Sequence, residues 1–238
     1  AARDAAWRGF LVAVHTPAER ALGLATTRYL REARDRYVER LRAAAKPVRA
    51  VVGGGYQRAD DGDDDDQTLD PGAVDDVLTG TADEEQALSD ALGPGVLDAL
   101  KRAFKLALSQ LDVSLTWDPV RRDALAEELI GTLIQRVTPE TVEAVRQVLR
   151  TGITEGKTIA ELQAAIETAG AFAPSRALRI ARTETTRAVN LGALQAYQQA
   201  RDDEGVDVEK VWVTARDSHV RDAHALLDGQ AVLPDAVF

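Results

Sequence analysis

The sequence predicts a mainly helical protein that ends in a small α+β domain, with long helices and a short Trp-containing strand pair. Aromatic residues make up only 5% of the 238 residues, whereas 45% are hydrophobic. A core of small aliphatic side chains favours packing of helix against helix. Apolar residues recur at spacings of three and four along most of the chain, which is the period of an amphipathic helix. They alternate, as in a strand, only within residues 208–214.

The first predicted element is a basic helical segment over residues 1–52. Pro17 suits the first turn of a helix, and an apolar stripe that includes Tyr29 and Leu41 continues the helix to about Lys46. Arginine makes forked contacts to phosphate, so the arginines of this helix are candidates for binding nucleic acid. These candidates are Arg28, Arg31, Arg34, Arg36, Arg40 and Arg42. They are spread around the helix instead of following one stripe, and a solvated arginine-rich helix is the alternative.

An acidic segment follows, and we predict that residues 53–72 form a flexible linker and a domain boundary. Residues 59–100 contain 14 acidic residues and no Lys or Arg, and six of the acidic residues are aspartates within 60–66. Such a run repels itself and buries no apolar surface. A calcium loop is the sharper alternative, but the run lacks the spaced ligands and the closing glutamate of an EF-hand loop.

Residues 73–124 are predicted to form a helical connector, and residues 125–238 the last domain. Gly93-Pro94-Gly95 should interrupt the connector, and Trp117-Asp118-Pro119 should separate it from the helix that follows. In the last domain, Thr138-Pro139 resembles an N-cap with proline at the first helical position, so we expect a new helix there.

Three further signals organise the last domain. Thr158 and Glu161 match a capping box, and Pro174 should begin a long helix that reaches about Arg201. Asp217 can cap a short helix that runs to about Leu227, and Asp228-Gly229 then favours a turn.

These signals carry a family resemblance. Residues 180–192 contain the string Ala-Arg-Thr-Glu, a strand with Trp212 follows, and the segment 217–229 has the pattern Asp…Arg…His…Asp-Gly. The order resembles the Mu protein F-like family of phage minor head proteins, over roughly residues 125–238. The resemblance implies a structural minor capsid protein that is made in the bacterial cytoplasm and resides in the virion. It implies portal and capsid proteins as partners, an oligomeric state, and contact with packaged DNA.

The ends of the chain suggest a larger protein. Residues 1–50 resemble the helical C-terminal parts of portal proteins, which are fused to this domain in some phages. The chain contains no methionine, so we expect a fragment, a fusion or part of a longer polypeptide. Members of the family continue into a segment with cysteines, so we expect the last domain to be truncated at its C-terminus.

The acidic, basic and imidazole groups of the 217–229 segment have three competing interpretations. Asp217, Arg221, His224 and Asp228 are spaced four, three and four apart, so on a helix they would share one face. They could form a structural network, in which Asp217 caps the helix and the others pair. They could bind a metal, although Arg221 would repel the cation. They could also support hydrolysis, with His224 as general base.

The helix containing Arg182-Thr183-Glu184 is predicted to dock onto that segment. Thr183, Arg187 and Asn190 would share a face, and Glu184 could pair with Arg187. We expect the polar residues of both parts to form one structural network: Arg182, Thr183, Glu184, Arg187, Asn190, Trp212, Asp217, Arg221, His224, Asp228 and Gly229.

An enzyme is the alternative function class: a metal-assisted hydrolase or a toxin-like transferase using Arg182, Glu184, Asp217 and His224. The sequence lacks a phosphate-binding glycine loop and a His-Glu-x-x-His motif. With no cysteine, it also lacks a thiolate zinc site and a cysteine nucleophile. We therefore predict a protein that is not an enzyme and that needs no metal or cofactor.

Overall fold

The protein is mainly helical, as the sequence predicts. The computed structural model describes residues 9, 11–45, 67–214 and 220–237. The described helices are α1 (Thr16–Ala44), α2 (Val74–Val77), α3 (Thr81–Gln110), α4 (Pro119–Thr154), α5 (Ile159–Glu167), α6 (Pro174–Glu204) and α7 (Asp222–Ala225). A small antiparallel sheet joins β1 (Lys210–Val211) to β2 (Ala231–Val232). A π-helical turn, Leu11–His15, leads into α1, and 3-10 turns occupy Pro71–Ala73 and Gly170–Phe172.

Helix α1 forms where the apolar stripe predicts it. Leu22, Tyr29, Ala33, Tyr37 and Leu41 are all buried, at spacings of four or seven residues that keep them on one side of the helix. Burial of this apolar face supplies most of the stability of the helix, since intrinsic helix propensity alone contributes little. The described part of α1 ends at Ala44, close to the predicted end.

The end of the predicted linker is packed into the structure. Leu69 is only 3% exposed. The carbonyl of Gln67 accepts a hydrogen bond of 2.7 Å from the amide of Ile159, and Thr68 forms an isolated antiparallel bridge with Thr158. The prediction of a flexible linker is therefore wrong for residues 67–72, because these contacts bind them to the start of α5. Residues 53–66, with the aspartate run and its calcium alternative, lie outside the described residues.

The predicted interruption at Gly93-Pro94-Gly95 is wrong, because α3 continues through it. Leu92 and Val96 are buried on either side, so the helix keeps its apolar stripe. A Cβ on Gly95 would lie 2.8 Å from the side chain of Leu22, which shows that the glycine allows a close approach. Tertiary packing therefore outweighs the hydrogen bond that the proline removes.

The predicted new helix at Thr138-Pro139 is also wrong, because α4 runs through both residues. Its start at Pro119 is as predicted, with the Asp118 carboxylate accepting a bond of 2.9 Å from the amide of Val120. Buried residues at 129, 133, 137, 145 and 149 follow one stripe across the proline. This continuous stripe holds the helix together where the local signal favours a break.

The capping box at the start of α5 is confirmed. The Thr158 hydroxyl accepts from the amide of Glu161, and the Glu161 carboxylate accepts from the amide of Thr158. Helix α6 begins at Pro174, as predicted. Gly192 in α6 packs against the backbone of α3, and a Cβ there would collide with the carbonyl oxygen of Leu100.

The C-terminal strand pair is also confirmed, in a shorter form in which β1 ends one residue before Trp212. Lys210 pairs with Val232 and Val211 with Ala231. The amide of Trp212 donates to the carbonyl of Gln230 at 2.9 Å. The predicted Asp228-Gly229 turn is present, with Gly229 at φ +85°, a conformation that suits glycine.

The chain divides into two compact units. The first contains Ala1–Ala18, Val96–Ala126 and Thr185–Phe238, and the second contains Glu19–Gly95 and Glu127–Glu184. The second unit has a core that includes Tyr37, Leu149 and Ile166. In the first unit, the rings of Phe104 and Trp117 stack with centroids 4.2 Å apart. The division into 1–52, 53–72, 73–124 and 125–238 stays a prediction. No helix among the described residues is long and apolar enough to span a membrane.

Candidate functional site

A buried carboxylate joins α1 to α3. Glu84 is 1% exposed and receives three hydrogen bonds from α1. Arg36 donates from Nε and Nη2 to the two carboxylate oxygens, at 2.9 and 2.6 Å, and Arg40 donates from Nη2 at 3.0 Å. This forked geometry is the strong form of an arginine–carboxylate pair. One further nitrogen of Arg40, Nη1, is buried and has no hydrogen-bond partner in the structure.

Two tyrosines of α1 lie beside these arginines. The guanidinium of Arg36 lies 5.9 Å from the ring centre of Tyr29, and that of Arg40 lies 5.2 Å from that of Tyr37. Burial, reinforced by the Glu84 charge, raises the pKa of Tyr37 to about 12. The same two causes raise the pKa of Tyr29 well above its usual range. Both phenols are therefore neutral at physiological pH, and the cluster has the character of a structural core.

The six arginines predicted to bind nucleic acid fall into two groups. Arg36 and Arg40 are bonded to Glu84, and their side chains are only 30% and 20% exposed. Arg28, Arg31 and Arg42 are exposed, and Arg34 is half-buried. Arg34 bonds to Asp35, and Arg42 donates to the side-chain oxygen of Gln163 at 2.8 Å. Only the four arginines that are not bonded to Glu84 remain candidates for contact with nucleic acid. That contact stays a prediction.

A second buried carboxylate is Glu184, in the matched Ala-Arg-Thr-Glu string. It is 2% exposed and forms a salt bridge with Arg136 of α4. Arg136 was not among the predicted site residues, because it lies 48 positions from Glu184 in the sequence. A signal was present: Glu184 continues the stripe of Ile180, Ala181 and Ala188, all of them buried, so its carboxylate needs a partner.

The other predicted network residues of α6 face outward. Arg182, Arg187 and Asn190 are exposed, and Thr183 is half-buried. Arg182 donates from Nε to the carboxylate of Glu19 at 3.1 Å, and the Thr183 hydroxyl donates to the carbonyl of Arg179. The string thus separates into an exposed polar face and one buried carboxylate. Docking of this helix onto residues 217–228 stays a prediction.

Arg176 is a buried arginine that sequence analysis missed. It is 7% exposed and donates to the carbonyls of Ala171 and Val137, at 2.8 and 3.2 Å. It also donates to the hydroxyl of Thr141 at 3.0 Å and to the carboxylate of Glu140 at 3.3 Å. These bonds fix the start of α6 against α4 near Pro139.

The C-terminal segment has a different geometry from the one that its spacing suggested. Helix α7 covers only Asp222–Ala225, with Arg221 at its N-cap in an extended conformation. Arg221, His224 and Asp228 therefore do not share the face of one helix, and the helix predicted to reach Leu227 is shorter. Asp217 lies outside the described residues, as does its predicted cap.

The polar residues of this segment bond locally. Asp228 accepts a hydrogen bond of 2.9 Å from the amide of Thr214, and the amide of Gly229 donates to the carbonyl of Trp212 at 2.8 Å. The exposed His224 ring meets the Trp212 ring edge-on, with centroids 5.4 Å apart. Such contacts stabilise the turn, and they leave the imidazole in solvent.

The chemistry of these sites is that of stabilisation. Glu84 and Glu184 are buried and bonded to arginine, so neither is placed to act on a solvent-borne substrate. Within residues 9, 11–45, 67–214 and 220–237, no group of three or more His, Asp or Glu side chains could hold a metal ion.

Comparison with known proteins finds similarities in the C-terminal part of the chain. Residues 143–238 match the family model described as Phage Mu protein F like protein. The chain is also 31% identical, over 114 residues, to a protein of Enterococcus faecalis named NAD(+)--arginine ADP-ribosyltransferase EFV. That alignment covers 48% of this chain and 23% of the relative, so the chain spans about a quarter of the relative's length. No solved structure matches the chain.

The family match includes the Ala-Arg-Thr-Glu string, β1 with the adjacent Trp212, and the Asp228-Gly229 turn. It also includes Glu184 and Arg176, two of the buried polar residues that hold α6 against α4. Over residues 143–238, the chain is therefore similar to the family described as Phage Mu protein F like protein.

Proposed function

We propose that the chain is part of a structural minor capsid protein of a tailed bacteriophage, acting in head assembly at or near the portal. The observation that carries this proposal is the family match over residues 143–238. The protein would reside in the virion after synthesis in the bacterial cytoplasm. Its work would be to hold neighbouring subunits together, without turnover of a substrate.

The geometry of the buried polar residues supports an assembly role. Glu84, Glu184 and Arg176 are bonded within the fold, and each joins two helices. Buried ion pairs of this kind fix the relative position of helices, since breaking one leaves an uncompensated charge in the interior. Helices that are joined by buried ion pairs and that expose arginines suit a protein that docks onto other subunits.

Portal and capsid proteins are the proposed partners, with packaged DNA as a further contact. The DNA contact would use the exposed α1 arginines and would weaken steeply as salt rises. A fusion with a portal protein, or a chain that continues beyond residues 1–238, belongs to the same proposal.

Particle composition tests this function. Quantitative mass spectrometry of particles from a phage encoding the chain should find it at a low, fixed ratio to the major capsid protein. Deleting its gene should reduce the yield of filled heads, and a plasmid copy should restore it. Absence of the chain from purified particles, together with a normal yield after deletion, would overturn the proposal.

An enzyme is the second candidate, and one observation favours it. The Enterococcus relative is named NAD(+)--arginine ADP-ribosyltransferase EFV, and a transferase is the class of enzyme that the sequence left as an alternative. Against it, the Glu184 carboxylate is 2% exposed and is bonded to Arg136. The shared 23% of the relative also leaves most of that protein unmatched.

A turnover assay separates the two candidates. The purified chain would be incubated with labelled NAD⁺ and an arginine-rich acceptor, beside Glu184→Gln and His224→Ala variants. A structural protein releases no nicotinamide above the buffer blank. Multiple turnovers that are lost in a folded variant would establish the enzyme. Metal analysis of the purified chain tests the hydrolase version.

A further inference from the structure

Asp228-Gly229 is a chemically reactive dipeptide at the turn of the C-terminal hairpin. The sequence contains two Asp-Gly pairs, and the other one, Asp61-Gly62, lies outside the described residues. An aspartate that precedes glycine is prone to spontaneous isomerisation, because glycine has no Cβ to hinder attack by its own backbone nitrogen. Asp228 is half-buried and Gly229 is exposed. Water, which takes part in this reaction, can therefore reach the turn.

The isomerisation of such a pair takes place within the chain. The backbone nitrogen of Gly229 gives up its proton and attacks Cγ of Asp228. An N–Cγ bond forms, a C–O bond of the side-chain carboxyl breaks, and the oxygen leaves as water. Water then adds to one of the two carbonyl carbons of the resulting succinimide ring and breaks the C–N bond there. Opening at Cγ restores aspartate, and opening at the main-chain carbonyl carbon gives isoaspartate.

The folded hairpin holds both reacting groups away from each other. The amide of Gly229 donates to the carbonyl of Trp212 at 2.8 Å, and Oδ1 of Asp228 accepts from the amide of Thr214 at 2.9 Å. Attack requires a nitrogen without its proton and a carboxyl carbon turned towards it. Both hydrogen bonds must therefore break before the N–Cγ bond can form.

These two bonds depend on the pairing of the hairpin. Val211 pairs with Ala231, and the amide of Trp212 donates to the carbonyl of Gln230 at 2.9 Å. Trp212 is thus bonded to both residues that follow Asp228. Strands as short as β1 and β2 are weakly held, so the pair can open locally while the helices stay folded. Such an opening releases the Gly229 nitrogen and the Asp228 carboxyl together.

We propose that Asp228 is a masked site of isoaspartate formation, which is blocked while the hairpin is paired and reactive when the hairpin opens. The masking groups are two main-chain groups, the carbonyl of Trp212 and the amide of Thr214. Water is the only co-reactant, and it is lost in the first step and regained in the second. The proposal goes beyond the assembly role and holds with or without it.

Isoaspartate at this position would prevent the hairpin from closing again. Its main chain runs through Cβ and Cγ, so one additional carbon atom separates residues 228 and 229. Gly229 and Gln230 would then be displaced relative to Trp212, to which both are bonded in the folded chain. The modification would therefore make a transient opening permanent.

The rate of isoaspartate formation in the full chain tests the proposal. Purified wild type is aged at physiological pH and temperature, either folded or in guanidinium chloride. Peptide mapping then separates the isoaspartyl peptide of residue 228 by its chromatographic retention, since its mass is unchanged. Two hydrogen bonds of ordinary net strength correspond to about a 10-fold to 30-fold slowing in the folded chain. Equal rates in the folded and unfolded chains would overturn the proposal.

Two variants at one position separate the Thr214 amide from the Thr214 side chain. Thr214→Pro has no amide hydrogen to donate to Asp228, whereas the matched control Thr214→Ala keeps it. Relative to its own rate in guanidinium chloride, folded Thr214→Pro should form isoaspartate about 5-fold faster than wild type. Thr214→Ala should react like wild type. Folded variants with equal relative rates would show that this amide does not mask the site.

Amide hydrogen exchange at Gly229 is a measurement that needs no variant, and it decides the matter if circular dichroism shows that Thr214→Pro does not fold. Exchange and isoaspartate formation require the same opening, so both should be slowed in the folded wild type, by about 10-fold or more. A Gly229 amide that exchanges as fast as in the unfolded chain would contradict the masking. So would a protected amide beside isoaspartate formation that is not slowed.

Discussion

Polar side chains in the helical body and in the C-terminal hairpin serve different ends. In the helical part of the chain, Glu84 and Glu184 are almost fully buried and bond to arginines 44 or 48 residues away in the sequence. In the hairpin, His224 is exposed, and Asp228 bonds to an amide only 14 residues away.

This difference in burial indicates which polar residues stabilise the fold. A buried carboxylate that loses its guanidinium leaves a charge that water cannot solvate, and a guanidinium that loses its carboxylate regains water only as far as it is exposed. An exposed group that loses its neighbour is solvated at once, and the free energy of unfolding changes little. The following variants test this contrast, from the largest expected effect to the smallest.

Glu84→Ala should have the largest effect. It leaves Arg36 and Arg40 facing the interior without a counter-charge, and we expect a loss of about 3–5 kcal/mol in the free energy of unfolding. Chemical denaturation measures the loss. Asp83→Ala is the matched control, because Asp83 is exposed in the same turn. An equal loss in both variants would contradict the contrast.

Glu184→Ala should follow, with a loss of about 2–3 kcal/mol. Its partner Arg136 is 36% exposed, so the orphaned guanidinium can regain water. Thermal melting checks the effect against Arg187→Ala, an exposed residue of the same helix. An unchanged melting temperature for Glu184→Ala would mean that the salt bridge does not contribute to stability.

Gly192→Ala tests packing instead of charge. The added methyl group would collide with the carbonyl of Leu100, so α3 and α6 must move apart, at about 1–3 kcal/mol. Gly131→Ala, where nothing lies within 4 Å, should stabilise α4 by about 0.5–1 kcal/mol. Denaturation midpoints that shift in the same direction for both variants would show that the helices do not meet at Gly192.

Alkaline pH should weaken the helical body through its tyrosines. Burial raises the pKa of Tyr37 to about 12. Between about pH 10 and pH 12 the unfolded chain loses this proton while the folded chain keeps it. Stability from this residue is therefore present below pH 10 and lost as pH rises through 12. The melting temperature of Tyr37→Phe should fall less between pH 9 and pH 11 than that of wild type. Parallel curves would contradict burial of the phenol.

His224→Ala should have the smallest effect, about 0.5 kcal/mol, because it removes only an edge contact from an exposed ring. Tryptophan fluorescence should report the change at Trp212. If the free energy of unfolding of this variant fell by more than about 2 kcal/mol, the hairpin would depend on its polar contacts as strongly as the buried ion pairs do. That result would contradict the difference between the two regions.

The positions of most helices could be predicted from the sequence. The side-chain pairs that join one helix to another could not. The stripe from Leu22 to Leu41 and the capping box at Thr158 are local patterns, and both helices form as predicted. Predictions at Pro94 and Pro139 were wrong, because local signals favoured breaks that packing against other helices overrides. A proline in the sequence indicates that a helical hydrogen bond is lost. It does not indicate which distant contacts compensate for that loss.

The candidate site shows the same limit. Trp212 and Asp228-Gly229 lie at a turn, as expected from short-range chemistry. The partners of Glu84 and Glu184 depend on which helices become neighbours, and spacing within one helix does not contain that information. The burial of Glu184 could have been predicted, since it occupies a position on an apolar stripe.

Gly93-Pro94-Gly95 lies where the two compact units divide within α3. Pro94 has no amide hydrogen, so the carbonyl of Asp90 lacks its helical donor, and two glycines flank this gap in the ladder. A helix with such a gap can open on one side of it while the other side stays closed. Amide hydrogen exchange along α3 should then show two protection levels that meet at this tripeptide, although the helix is continuous.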